Sequence, residues 1–128
     1  MKRGPDIATR YRFAQESFTA LAGTLPADAW STRVACTPDW TVRDVLSHVS
    51  GITDDALAGR MEGAPGEAWT AAQIARNRSA TVEELLERWT VQTPAFADMI
   101  DEIGEGRPPF DCHTHEYDVR HAVGRPGN

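Results

Sequence analysis

Apolar side chains recur every three to four residues along most of this chain, and no segment alternates with a period of two over strand length. A stripe of that spacing is buried only by turning one face of a helix inward, so the fold class expected is all-α. Ile7, Tyr11, Ala14, Phe18, Leu21 and Leu25 form one such face over residues 5–24, with Pro5 suited to the first turn and Gly23 to the end. Residues 26–40 hold Pro26, Trp30, Pro38 and Trp40 and read as a loop. Thr41 followed by Asp44 resembles a capping box and opens a second helix, striped by Val42, Val45, Leu46, Val49, Ile52 and Ala56. Gly59 to Gly66 interrupts the pattern, and residues 67–77, with Trp69 and Ile74, read as a shorter helix.

Thr81 and Glu84 make a second capping box, before the stripe Val82, Leu85, Leu86, Trp89, Phe96, Ile100 and Ile103. Pro94 lies inside that run and predicts a kink or break near residue 93. After a turn at 104–109, Pro109 opens a last helix to about Val123, closed by Gly124-Arg125-Pro126-Gly127. Three long helices, a short one and a final one point to an antiparallel four-helix bundle, with 26–40 and 59–80 long enough to serve as crossover connections.

Composition narrows the function classes. At 128 residues one domain spanning 1–128 is expected, and 41% hydrophobic with 25% charged residues describes a core-forming chain and not a disordered one. A net charge of -6 argues against nucleic acid and against an anionic membrane surface, both of which need a basic face. No apolar run approaches the ~18–20 residues of a membrane span. No apolar segment follows Met1-Lys2-Arg3, so a cytoplasmic location is expected. Cys36 and Cys112 stand far apart with no CxxC, so no disulfide is expected, and Cys36 is expected to be a small buried hydrophobe. Trp30, Trp40 and Trp89 are expected to anchor the core. Lys2 is the only lysine, a bias that suggests a GC-rich coding genome.

Three of the four histidines fall on the last helix. Asp111 and His115, four apart, share a face that Asp118 continues, whereas His113 lies about 160° from His115 around the helix and His121 is also off that face. His48 sits on the apolar stripe of the second helix, where an imidazole needs partners for both nitrogens. Facing His48 with Asp111 and His115 gives two imidazoles and a carboxylate, a set that binds a divalent ion and leaves positions open. A satisfied core histidine at 48 and a solvated pair at 111 and 115 are the plainer alternatives. Arg120 is placed either to bind an anionic substrate group or to pair with Glu116 four residues earlier.

The runs Leu25-Pro26-Ala27-Asp28-Ala29-Trp30 and Cys36-Thr37-Pro38-Asp39-Trp40-Thr41-Val42-Arg43-Asp44-Val45-Leu46-Ser47-His48 resemble the N-terminal domain of mycothiol-dependent maleylpyruvate isomerases, within the DinB-like superfamily. Asp111-Cys112-His113-Thr114-His115-Glu116-Tyr117-Asp118-Val119-Arg120 resembles that family's second signature. Asp111 stands where the family has Glu, one methylene longer, and Asp39 where Gly is typical. The resemblance implies a DinB-like antiparallel four-helix bundle with metal ligands at His48, Asp111 and His115. It implies a divalent metal, commonly zinc, with nickel, iron or manganese as alternatives. It also implies mycothiol as thiol cosubstrate, and with it an actinobacterial host. The isomerases continue into a second domain, and the resemblance here is to the first.

Two functions follow. One is a thiol-dependent transferase or isomerase, with small-molecule thiol and electrophile as partners, in which Asp118 and Arg120 assist around the metal or substrate. The other is a non-catalytic bundle that binds metal, a small ligand or a protein partner. Homodimerisation is open in either case.

Overall fold

The computed structural model describes residues 6–125. The expected roles of Pro5, Pro126 and Gly127 lie outside them. The described residues are mostly helical, with five helices and one small two-stranded sheet. α1 spans Ile7–Ala22, α2 Val42–Ala58, α3 Glu67–Asn77, α4 Val82–Ile103 and α5 Arg107–Ala122. Both capping boxes form: Thr41 accepts from the Asp44 N–H and Thr81 from the Glu84 N–H, while each acid reaches back to the cap N–H. Gly59 and Gly104 end α2 and α4 in the left-handed region, where a side chain would be strained.

α4 runs unbroken through Pro94, so the expected break does not occur. A proline removes one hydrogen bond from the ladder. Burial of Trp89, Phe96, Ala97 and Ile100 on either side of Pro94 holds the helix to the core across that gap. α5 starts at Arg107 and not at Pro109, because Pro108 and Pro109 both fit a first turn whose N–H groups have no helical partner anyway.

The loop expected over 26–40 is more ordered than its sequence suggests. Ala27–Ser31 forms a short 3₁₀ turn, and β1 (Arg33–Val34) pairs antiparallel with β2 (Thr37–Thr41), in the register Arg33 to Thr41 and Val34 to Thr37. Two and five residues are too few for alternation to show, and Pro38 and Asp39 are poor strand residues. The hairpin delivers the chain straight into α2, with the Val42 N–H bonded to the Thr32 carbonyl at 2.9 Å.

The core lies where α1 meets α4 and α5 and where α2 meets α3, α4 and α5. Phe18, Val45, Leu46, Leu85, Trp89 and Val119 are buried there. Phe18 meets Trp89 edge-on at 5.4 Å and Tyr11 meets Phe96 at 4.9 Å. Two of the rings taken inside have their polar atoms paired: Trp89 Nε1 donates to Tyr11 Oη at 2.9 Å, and Tyr11 Oη lies 2.7 Å from Thr53 Oγ1. Trp89 anchors the core as expected, while Trp30 and Trp40 are only partly buried against it. Ile103, expected on the buried stripe, is exposed because it lies in the last turn of α4. No helix of the described residues is long and apolar enough to cross a membrane.

Candidate metal centre

His48 sits mid-way along α2 between buried Val45 and Val49, and is itself 7% exposed. Asp111 and His115 lie one turn apart near the start of α5. The packing of α2 against α5 brings the three together. His48 Nε2 is 3.9 Å from Asp111 Oδ2, and His115 Nε2 is 3.5 Å from Asp111 Oδ1. The two imidazoles meet edge-on at 5.1 Å, and one ligand atom from each of the three residues lies within 4.8 Å of the others. Trp40 of β2 stands beside both rings, at 5.3 Å from His48 and 6.2 Å from His115. The hairpin therefore forms a wall of the cluster.

A buried relay fixes which nitrogen of His48 faces the cluster. Gln73 Nε2 donates to Asp55 Oδ2 at 3.0 Å, so Gln73 Oε1 remains as an acceptor. His48 Nδ1 lies 2.8 Å from that oxygen and must carry the proton. The Nε2 lone pair is thus left toward Asp111. Asp55 is held in turn by Arg76 at 2.6 Å and Arg60 at 2.9 Å. Burial lowers the His48 pKa, which keeps the ring neutral and able to ligate near pH 7.

The end of α3 is tied to α2 by Asn77 Nδ2 donating to the Ser47 carbonyl at 3.0 Å and by Arg43 donating to the Asn77 and Ala80 carbonyls. Gly51 lets the helices close up, since a Cβ there would stand 2.9 Å from Gln73 Cβ. Sequence reasoning missed Gln73 and Asp55. The available signal was Asp55 itself, a carboxylate seven residues after His48 and so two turns further along the same buried face.

Asp118 faces His115 on the side away from the cluster. His115 Nδ1 is buried without a hydrogen-bond partner, and Asp118 Oδ2 lies 3.6 Å from it. A few tenths of an ångström would make this the carboxylate–imidazole pair that commonly orients a metal-binding histidine. Asp118 also faces Cys36, whose thiol it pushes up in pKa by its charge and a hydrogen bond. Cys36 is exposed, not buried as expected, because it occupies the turn between β1 and β2 while Val34 takes the inward place. Arg120 Nε donates to Glu116 Oε2 at 2.9 Å, so the salt bridge forms. His113 and His121 are exposed and lie against Phe13 and Tyr117, away from the cluster as their spacing required.

The donor set fits a divalent ion. Two neutral imidazoles and a carboxylate suit zinc and its neighbours, and the ligand atoms need contract only modestly toward the roughly 3–3.5 Å separations that bonds of about 2.0–2.2 Å require. The orphaned His115 Nδ1 beside Asp118 is the kind of group whose pairing completes when the opposite nitrogen ligates.

Fold and site together define a helical protein with a His–Asp–His cluster set between two of its helices. Residues 11–121 match the family model of the mycothiol maleylpyruvate isomerase N-terminal domain. The chain belongs to that family. No curated protein and no solved structure matches it.

Proposed function

We propose that this chain, read as one domain over 1–128, binds a divalent metal through His48, Asp111 and His115 and serves a thiol-dependent transferase or isomerase reaction on a small electrophile. Zinc is the first choice of metal, with nickel, iron or manganese as alternatives, and mycothiol is the thiol. The observation that carries this is the convergence of the three donor atoms within 4.8 Å at the positions where the family's motifs fall. The packing of α1 on α4 and α5, and of α2 on α4 and α5, supports a DinB-like four-helix arrangement, with the hairpin and α3 carried in the two long connections.

Held by His48, Asp111 and His115, a divalent ion would supply a positive charge that lowers the pKa of a neighbouring thiol, so that its proton would pass to solvent at neutral pH. The protein's own groups do the rest. Gln73 keeps His48 in the ligating tautomer, Asp118 orients His115, and Trp40 and Ile52 limit water at the cluster. Arg120, paired with Glu116, stiffens α5 beside the site.

Elemental mass spectrometry of the purified protein beside His48→Ala and His115→Ala tests the site. A near-stoichiometric metal lost in both variants is expected. No metal in the wild type after reconstitution with zinc, nickel, iron and manganese would overturn the proposal. Mycothiol consumption with a panel of electrophiles then tests catalysis: metal without turnover would assign the non-catalytic function.

A further inference from the structure

Three aromatic side chains stand in water on one side of the molecule. Phe13 of α1 is 64% exposed, and Phe110 and Tyr117 of α5 are 76% and 58% exposed. His113, also exposed, falls between Phe110 and Tyr117 on the same face of α5, and its ring lies 5.9 Å from that of Phe13. A groove of about 450 Å³ opens between Phe13, Pro109, Phe110 and His113. At about 200 Å² per ring, the three aromatics hold out roughly 400 Å² to solvent. That is half of the roughly 800 Å² that each copy buries in an interface of standard size, before the residues around the rings are counted.

Charge decides what can cover this face. The chain carries a net charge of -6, so two copies repel wherever their acids meet. α5 turns its acids away from the face: Asp111 is in the cluster, Glu116 is buried, and Asp118 stands beside His115. On α1, Arg10 and Glu16 are exposed three residues before and three after Phe13, a cation and an anion on either side of an apolar centre. Such a row is complementary to its own reverse. The two helices run in the same direction, with Phe13 level with His113 and Arg125 of the α5 end bonded to Thr24 after the α1 end. Arg10 is therefore level with Phe110, beside the groove, and Glu16 with Tyr117.

We propose that this face joins two copies of the chain about a two-fold axis that passes beside Phe13 and His113. The axis sets α1 against the partner's α1 and α5 against the partner's α5, both antiparallel. Phe13 then meets the partner's Phe13. Phe110 meets the partner's Tyr117, which comes over the groove, because the two lie three and four residues to either side of His113. Arg10 meets the partner's Glu16, and symmetry makes that pair twice. Phe and Tyr at the centre with charges at the edge is the usual build of a protein interface.

Sedimentation velocity of the full chain over a concentration series tests this. A species of twice the 14.1 kDa chain mass is expected, with a dissociation constant of about 10 µM or tighter. Phe110→Asp and Tyr117→Glu should each weaken association about thirtyfold or more. Arg10→Glu alone, or Glu16→Arg alone, sets like charges opposite each other twice and should weaken it about tenfold. The double exchange, Arg10→Glu with Glu16→Arg, should restore it to within about threefold, which only a two-fold contact in this register does. Val91→Glu, at an exposed apolar position of α4, should leave it unchanged. All five positions are exposed, and circular dichroism confirms that each variant folds.

A wild-type monomer throughout the micromolar range would overturn the proposal and leave the face to a chain of another kind. So would a dimer that survives both ring substitutions, or a double exchange that associates no better than the single ones.

Discussion

Gln73 decides the chemistry of His48 although it offers no ligand atom to the cluster. It is fully buried, its amide nitrogen is committed to Asp55, and its oxygen therefore selects the Nδ1–H tautomer. Gln73→Leu removes both contacts at nearly constant volume. Metal affinity should fall about 10–100-fold by competition with a chromogenic chelator, the usual effect of losing a partner behind a ligating histidine. Unfolding free energy should fall by about 1–3 kcal/mol, because His48 Nδ1–H is left buried and unpaired. Affinity unchanged within twofold would mean that Gln73 is a packing residue only. Asp118→Asn tests the other histidine. It leaves a weaker acceptor beside His115 Nδ1, so affinity should fall by a smaller factor than in Gln73→Leu, and the Cys36 thiol should react faster with alkylating reagents once the neighbouring charge is gone.

Between elements, the close approach of α3 to α2 is what brings Gln73 within reach, and Gly51 permits it. Alanine in a helix normally stabilises relative to glycine, by roughly 0.5–1 kcal/mol. Gly51→Ala should do the opposite, because its Cβ would stand 2.9 Å and 3.0 Å from the Gln73 Cβ and Cγ. A loss of about 1–3 kcal/mol in chemical denaturation is expected, with weakened metal binding alongside. A gain in stability would show that α3 gives way freely and does not support the site. The helices themselves were legible, since Val45, Leu46 and Val49, and Leu85 and Trp89, announce buried faces by spacing alone. The grouping of His48, Asp111 and His115 was legible only in part, because spacing left a core histidine and a solvated pair as alternatives and the family resemblance chose between them. The relay and the hairpin were not legible. Gln73 works only through the packing of α2 on α3, and strands of two and five residues with Pro38 and Asp39 carry no period to read. The outward Cys36 follows from the same hairpin.

At the scale of the whole molecule, metal binding and folding are linked, because the unfolded chain does not hold His48 beside residues on α5. A ligand that binds only the folded state at 100 times its Kd adds about 2.7 kcal/mol. For a chain of this size that is of the order of 10 °C in Tm. The sign of the pH dependence follows from His48. Burial depresses its folded pKa below the roughly 6.5 of an unfolded histidine, so the unfolded state binds the extra proton first. The stability held by neutral His48 is complete above about pH 6.5 and declines as pH falls below it. Protons also compete with metal for the same nitrogen, so both effects run in one direction. Tm measured with zinc and with chelator should differ most near pH 7.5, and the difference should shrink toward zero by about pH 5. His115→Ala should abolish the zinc-dependent difference at every pH yet keep the slope of the chelated protein. His48→Ala should abolish the difference and flatten that slope as well. A zinc-dependent rise in Tm that persists in both variants would place the ion elsewhere on the molecule.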